Sequence, residues 1–248
     1  MKKSELWWSA MANSVASLDL YARVETLLHN EEAISSLYGS YLKVMDGLTF
    51  DTVLDVGCGS GGFLTLLEKV FSPSQLKGID LSPVMVARAR DRGMDAEAIN
   101  LCEMKGQYDV ITAVFDMVNY LDKQTLSSFM QCVAARLTPG GYFICDINTE
   151  YGFDEIASGS FTAEDESQYL VIDSMYEKGI YRSDFTCFEK RGTLYHREDE
   201  QIVQYFHTVE ELTSAGDLTL LSHIPLILYG EESDKWLVVM QKGVANEI

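Results

Sequence analysis

The sequence predicts an α/β fold built on a mostly parallel sheet, and three observations predict it. Short apolar runs alternate with helix-patterned runs between residues 52 and 147. Alternation at this spacing makes parallel strands joined by crossover helices. One of these runs ends in a glycine cluster, Gly57-Cys58-Gly59-Ser60-Gly61-Gly62, which suits a sharp passage from strand to helix. Two final runs, 218–229 and 235–241, are joined only by the acidic turn 230–234. A connection this short makes them antiparallel neighbours.

The elements follow in order. Residues 4–47 carry helical spacing without proline: Leu18, Tyr21, Ala22, Glu25 and Leu28, then Ile34, Leu37, Tyr38, Tyr41, Leu42 and Met45. Asp46-Gly47 closes this region. The first strand, 52–56, feeds the glycine cluster and a helix at 63–70. Strands follow at 76–80, 96–101, 108–115 and 142–147, with helices at 84–92 and 126–137. Ser82-Pro83 supplies an N-cap and a proline at the first helical position. After Asn148 the alternation stops. Residues 167–206 read as three antiparallel strands joined at Lys178-Gly179 and Arg191-Gly192. Thr208 and Glu211 form a capping-box pattern for a helix ending at Ala215-Gly216. Three units result: a helical cap at 1–48, a core at 49–149 and 207–248, and an inserted lid at 150–206.

The 248 residues are 47% hydrophobic and 23% charged, an ordinary globular composition. The chain holds 19 Lys and Arg against 38 Asp and Glu, a net charge of −19. That balance argues against broad binding to nucleic acid or an anionic membrane, since phosphates are repelled over most of the surface. No apolar run approaches the roughly 20 residues of a membrane span. Lys2, Lys3 and Ala10-Met11-Ala12 imitate a secretion signal, but the apolar stretch between them is only Leu6 to Trp8. Five cysteines, Cys58, Cys102, Cys132, Cys145 and Cys187, form an odd set without a CxxC pair. They read as reduced thiols of a cytoplasmic protein, with no disulfide frame and no metal site.

The glycine cluster can be parsed in two ways. Gly57, Gly59 and Gly62 satisfy G-x-G-x-x-G, and Asp55, Gly57, Gly59 and Gly61 satisfy D-x-G-x-G-x-G. Asp55 separates them. A carboxylate at the mouth of the loop repels a pyrophosphate and attracts a ligand carrying positive charge. Asp80, at the end of the second strand, is placed to accept from ribose hydroxyls. The bland readings are a tight turn with no ligand and a surface acid.

These residues resemble motif I and the following acid of the class I S-adenosylmethionine-dependent methyltransferases, with a seven-stranded Rossmann-like sheet. The resemblance covers about 49–148 and 207–243. It implies S-adenosylmethionine as cofactor and S-adenosylhomocysteine as product. It assigns the loop at Asp55, Gly57, Cys58, Gly59 and Gly61, the ribose at Asp80 with Leu81 beside it, the adenine at Asn100 and Leu101, and the sulfonium pocket at Phe115. At Asn100 the family often has Asp; Asn still accepts through its carbonyl. The stretch Asp116-Met117-Val118-Asn119-Tyr120-Leu121 resembles small-molecule members and differs from the N-P-P-Y motif of enzymes that methylate DNA bases. The final hairpin disfavours a nicotinamide-dependent oxidoreductase. The cap and lid are similar in position to those of sugar-amine N-methyltransferases, where the acceptor lies between lid and sheet edge.

Methyl transfer from a sulfonium needs alignment above all, and a general base only where the acceptor must lose a proton. Candidates are Tyr120, Tyr195 and His196, with Asp116 and His207 behind them. The bland reading of His196 is a solvated strand histidine, and of Asn119 and Tyr120 a capped turn with a packed ring. Cys58 has no expected catalytic role, and His29 and His223 read as core or surface residues. Residues 151–206 hold 12 acidic and 5 basic residues, which is either a solvated face or an attraction for a cationic amine. The lid's aromatics, among them Phe153, Phe161, Tyr181 and Phe185, either wall an acceptor pocket or bury a homodimer interface. The alternative function is a non-catalytic or regulatory protein that binds the same cofactor.

Overall fold

A computed structural model of the protein describes residues 15–28 and 30–244. The signal-like start and His29 lie outside the described residues. Residues 15–24 are helical and pass into a 3-10 turn, Glu25–Leu28. The remaining helices are α1 (Glu31–Asp46), α2 (Gly62–Phe71), α3 (Pro83–Asp91), α4 (Lys123–Arg136) and α5 (Val209–Ser214). The strands are β1 (Thr52–Val56), β2 (Gln75–Asp80), β3 (Ala96–Ala98), β4 (Tyr108–Ala113), β5 (Leu137–Asn148), β6 (Gly159–Glu164), β7 (Gln168–Glu177), β8 (Ile180–Arg191), β9 (Leu194–Tyr205), β10 (Leu218–Leu226) and β11 (Lys235–Lys242).

Seven strands form one sheet in the order β10-β11-β5-β4-β1-β2-β3. The five from β5 to β3 are parallel, and β11 runs antiparallel to both β5 and β10. The fold is therefore the expected Rossmann-like α/β sheet with a C-terminal antiparallel hairpin. Both faces are buried, and strand alternation divides the core. On one face Ile111, Phe143, Val238 and Met240 pack with Phe129 and Met130 of α4 and Leu212 of α5. On the other, Val53, Ile144, Leu237 and Val239 meet Leu37, Tyr41 and Met45 of α1 and Phe63 and Leu67 of α2. Ser82 caps α3, accepting from the Met85 amide, and Thr208 and Glu211 close a reciprocal capping box on α5.

The second sheet is inserted between β5 and α5, in the order β6-β7-β8-β9, all antiparallel. It has four strands where the sequence suggested three. β6 escaped because five of its six residues are exposed, leaving no alternation to read. A π-helical turn, Gly152–Ala157, leads into it. The helical residues Leu20, Val24 and Leu27 pack against Leu170, Ile172, Phe185 and Ile202 of this sheet. The stripe read from sequence, Leu18, Tyr21, Glu25 and Leu28, is partly exposed and lines a cleft instead. Both faces of the helix are thus occupied, which blurred its phase.

Three other expectations are corrected. The third strand stops at Ala98, and Leu101–Glu103 forms a 3-10 turn. The fourth stops at Ala113, because Phe115 and Asp116 adopt left-handed φ values of 61° and 46°. Cys102 and Cys132 form a disulfide, while Cys58, Cys145 and Cys187 are free and buried. The pairing removes the cysteine argument for a reducing compartment; it was hidden because the partners lie 30 residues apart on separate elements. Among the described residues no helix is long and apolar enough to cross a membrane.

Gly152 ties the second sheet to the first. A Cβ there would lie 2.2 Å from the backbone oxygen of Asp234, just before β11. Gly152→Ala should lower stability by about 1–3 kcal/mol, the usual range for overpacking. Urea denaturation checks it, and an unchanged midpoint would contradict the close approach.

Candidate active site

The crevice of an open α/β sheet lies where strand order reverses, outside the carboxyl ends of the strands. Here the reversal falls between β1 and β4. Both strands end in turns that line one cleft of about 2130 Å³, roofed by the second sheet and by residues of 16–28 and 30–38 in the N-terminal helical segment. A single drug-sized ligand needs roughly 300–1,000 Å³, so the cleft has room for two.

The glycine loop is pinned to β2, with the amides of Gly57 and Cys58 donating to the Ile79 carbonyl at 2.8 and 3.0 Å. Gly57 has φ of 73°, and a Cβ there would meet Met117 Cγ at 2.6 Å. Gly59 differs: its φ is 53°, and nothing lies within 4 Å of a Cβ built on it. That position opens on the cleft. Asp80 faces it, accepting from the Gly59 amide at 2.9 Å through one oxygen and from Ser82 at 2.8 Å through the other. The Leu81 backbone also hydrogen-bonds this carboxylate, so the backbone of three residues fixes its direction.

Asp55 is buried beneath the loop and accepts from the Thr112 hydroxyl at 2.7 Å. Burial raises its pKa to about 7, the Asp80 charge adds to this, and the Thr112 hydrogen bond opposes it. Burial also pushes the Cys58 thiol up, with Asp55 and Asp80 adding to it, which keeps it protonated. Asn100 accepts from the Cys102 amide at 2.9 Å and thereby caps the 3-10 turn. Of the residues expected at the cofactor site, the cleft brings together Asp55, Gly57, Cys58, Gly59, Asp80, Leu81, Asn100, Leu101 and Phe115. Gly61 sits behind the loop, its missing Cβ leaving room for Ala89.

The other candidates divide. Tyr120 and Asp116 line the cleft. Tyr195 and His196 do not: both are exposed on β9, opposite Lys190 and Glu189 near the hairpin end, and are withdrawn as catalytic candidates. His207 is buried, with Nε2 2.7 Å from the Leu121 carbonyl, a structural position. Asn119 is also buried, donating to the Tyr205 carbonyl and accepting from the Asn148 amide.

Two residues escaped the sequence reading. Asp146, on β5, is fully buried and accepts from the Tyr41 hydroxyl at 2.7 Å and from the amides of Phe115 and Asp116, each at 2.8 Å. Lys235, on β11, places Nζ 2.7 Å from Asp116, 3.0 Å from Asp146 and 2.7 Å from Asn148 Oδ1. Burial lowers the lysine pKa, but the two carboxylates outweigh burial and hold it above its ordinary value. The available signal was charge out of place: an acid inside Phe143-Ile144-Cys145-Asp146-Ile147 and a lysine opening a strand of buried residues.

Residues 53–141 match a family model described as a methyltransferase domain. Over 84 residues the chain is 32% identical to a malonyl-[acyl-carrier protein] O-methyltransferase of Anoxybacillus flavithermus; the match spans 31% of this chain and 32% of that protein. A solved S-adenosylmethionine-dependent methyltransferase from Clostridium acetobutylicum aligns at 21% identity with a TM-score of 0.72, over 91% of this chain and 97% of the other. An amino pentose methyltransferase from Micromonospora echinaspora aligns at 19% identity and 0.67, over 90% and 96%. A sugar N-methyltransferase from a Streptoalloteichus species aligns at 19% and 0.68, over 91% and 92%. The fold is that of the class I S-adenosylmethionine-dependent methyltransferases.

Lys235→Met would leave Asp116 and Asp146 without their shared cation. Removing one partner from a buried ion pair typically costs about 3–5 kcal/mol. A loss of that size is expected in chemical denaturation, whereas a loss below about 1 kcal/mol would mean that the two acids do not depend on the lysine.

Proposed function

We propose that this chain is an S-adenosylmethionine-dependent methyltransferase that acts on a small-molecule acceptor by in-line transfer. The observation that carries the proposal is the cradle at Gly59. The one loop glycine whose missing Cβ faces open cleft stands against the carboxylate of Asp80, at the point where strand order reverses. Loop and acid suit a nucleoside, and the buried Asp55 argues against a pyrophosphate. When bound, the cofactor supplies a methyl group already activated on a sulfonium.

The chain's residues then bind, orient and exclude water. In this reading Asp80 takes the ribose hydroxyls, Asn100 and Leu101 flank the adenine, and Phe115 borders the reacting end. Segment 150–206 serves as the lid: alternate residues Tyr181, Ser183 and Phe185 of β8 face the cleft. Tyr120 stays protonated near neutral pH, because burial and then the Asp116 charge raise its phenol. It therefore orients by donating a hydrogen bond and does not act as a base.

Calorimetry should detect S-adenosylmethionine and S-adenosylhomocysteine, with no heat from NAD. Tight NAD binding would overturn the reading. Gly59→Val should abolish binding by filling the cradle, with the far-ultraviolet spectrum unchanged.

A pH dependence follows from Asp55. Its pKa near 7 lies above the usual carboxylate range, so its contribution to folding is present at low pH and lost as pH rises through 7. A cationic ligand favours the ionised form. Affinity for S-adenosylmethionine should therefore rise about tenfold between pH 6 and pH 8, the change in ionised fraction of a group titrating near 7, and that for S-adenosylhomocysteine, which lacks the sulfonium, should rise less. Asp55→Asn should flatten that profile; a slope that survives the substitution would assign it to another group.

A further inference from the structure

The wall of the cleft between β3 and β4 is lightly built. β3 has three residues and pairs with β2 at the edge of the sheet. The chain then turns through Leu101–Glu103 and reaches β4 by way of Lys105, Gly106 and Gln107, all exposed. The Ile99 amide donates to the Asp80 carbonyl at 3.2 Å. The amides of Glu103 and Met104 donate within the turn, to Asn100 and Leu101. Further on, Gln107 donates to the Ala135 carbonyl at 3.4 Å and Arg136 to the Gly106 carbonyl at 3.3 Å, both long and exposed. Leu101 and Met104 supply an apolar anchor, in one cluster with Phe129 and Val133 of α4. The remaining tie is covalent, from Cys102 in the turn to Cys132 on α4.

This bond stands just behind the cleft. Ile99, Asn100 and Leu101 line it from the turn, and Thr125, Ser128 and Phe129 line it from α4. The disulfide therefore joins two walls of one end of the cleft, and Asn100 caps the turn through the amide of Cys102 itself. The sulfurs differ in access. Cys102 is exposed and Cys132 half-buried, whereas Cys58, Cys145 and Cys187 are buried. A thiol reagent reaches the bonded pair before any of the other three.

We propose that Cys102 and Cys132 are a redox-controlled modification site that sets the cofactor affinity of the cleft. Bonded, the pair holds the Asn100–Leu101 wall ready for a nucleoside; reduced by a dithiol, it releases that wall. The proposal rests on the cofactor reading above. A thiolate of the dithiol attacks Cys102 Sγ, and the electron pair of the S–S bond leaves on Cys132 Sγ, which takes up a proton. The second thiolate of the reagent closes on the mixed disulfide and expels Cys102, which is protonated in turn. The chain gains two electrons and two protons, and the reagent leaves as its own cyclic disulfide. A small-molecule disulfide reverses the exchange. A released wall must be ordered again by the ligand, which lowers affinity. The apolar anchor of Leu101 and Met104 survives reduction, so binding weakens and is not lost.

The test compares the whole chain before and after treatment with dithiothreitol, under native conditions. Calorimetry reads binding of S-adenosylhomocysteine, a thioether that the reagent leaves intact. Reduction should weaken binding by at least about fivefold, the lower end of typical coupling between sites. Cys102→Ser should bind at the level of the reduced chain, with or without dithiothreitol. Unchanged affinity in a wild-type chain whose intact mass shows both thiols free would overturn the proposal without reliance on the variant. So would an intact mass that native dithiothreitol does not alter, since the bond would then be out of reach. Hydrogen exchange at the amides of Cys102, Glu103 and Met104 gives a readout independent of ligand. It should accelerate on reduction, and exchange that stays constant would refute release of the wall. Failure of S-adenosylhomocysteine to bind either form would sink the cofactor reading, while mass and exchange still decide whether the pair is a redox site that frees the turn.

Discussion

The buried carboxylate of Asp146 is the knot on which the cleft depends. It takes a hydroxyl from α1, two amides from the turn after β4 and the ammonium of Lys235 from β11. Cap, central strand and final hairpin are thus held by one group that is itself on a fourth element, β5. A carboxylate withdrawn from water is stable only when its charge is met and its lone pairs are filled. The four donors meet that condition. They also set the direction in which Phe115 and Asp116 face.

Topology gives this knot its reach. β1 and β4 are adjacent and parallel, so their carboxyl ends open on the same side of the sheet. The glycine loop leaves one and the Asp146-bound turn leaves the other. Between them they form the two banks of the crevice, one shaped by missing side chains and one by a charged network. The second sheet closes over both. Its inner face is set by strand alternation, which brings Ser174, Ser183 and Gln204 over the same region as Asp116. The π-helical turn at Gly152–Ala157 is needed for this placement, since Gly152 packs directly on the backbone before β11.

Much of this was legible in the sequence. The parallel core, the final hairpin, the Ser82 and Thr208 caps and the glycine loop are all local signals, carried by spacing or by residues within four positions of one another. What lay hidden depended on distant partners. Asp146 and Lys235 look like misplaced charges until β5 and β11 are paired. Cys102 and Cys132 look like unrelated thiols until the turn before β4 lies against α4. Tyr195 and His196 suited catalysis by residue type, but the register of β8 and β9 carries them to the exposed end of the hairpin. Strand β6 has no buried face to leave a trace in the pattern.

The left-handed backbone at Phe115 and Asp116 has a consequence for how this protein responds to selection. Side chains at such φ values cost about 1–3 kcal/mol each, and glycine there would relax the strain. Glycine at 116, however, would give up the carboxylate that meets Lys235 and Gln204, and stripping a partner from a buried ion pair typically costs about 3–5 kcal/mol. Selection for heat resistance therefore keeps the acid at 116, and the strain of the turn persists because the ion pair outweighs it.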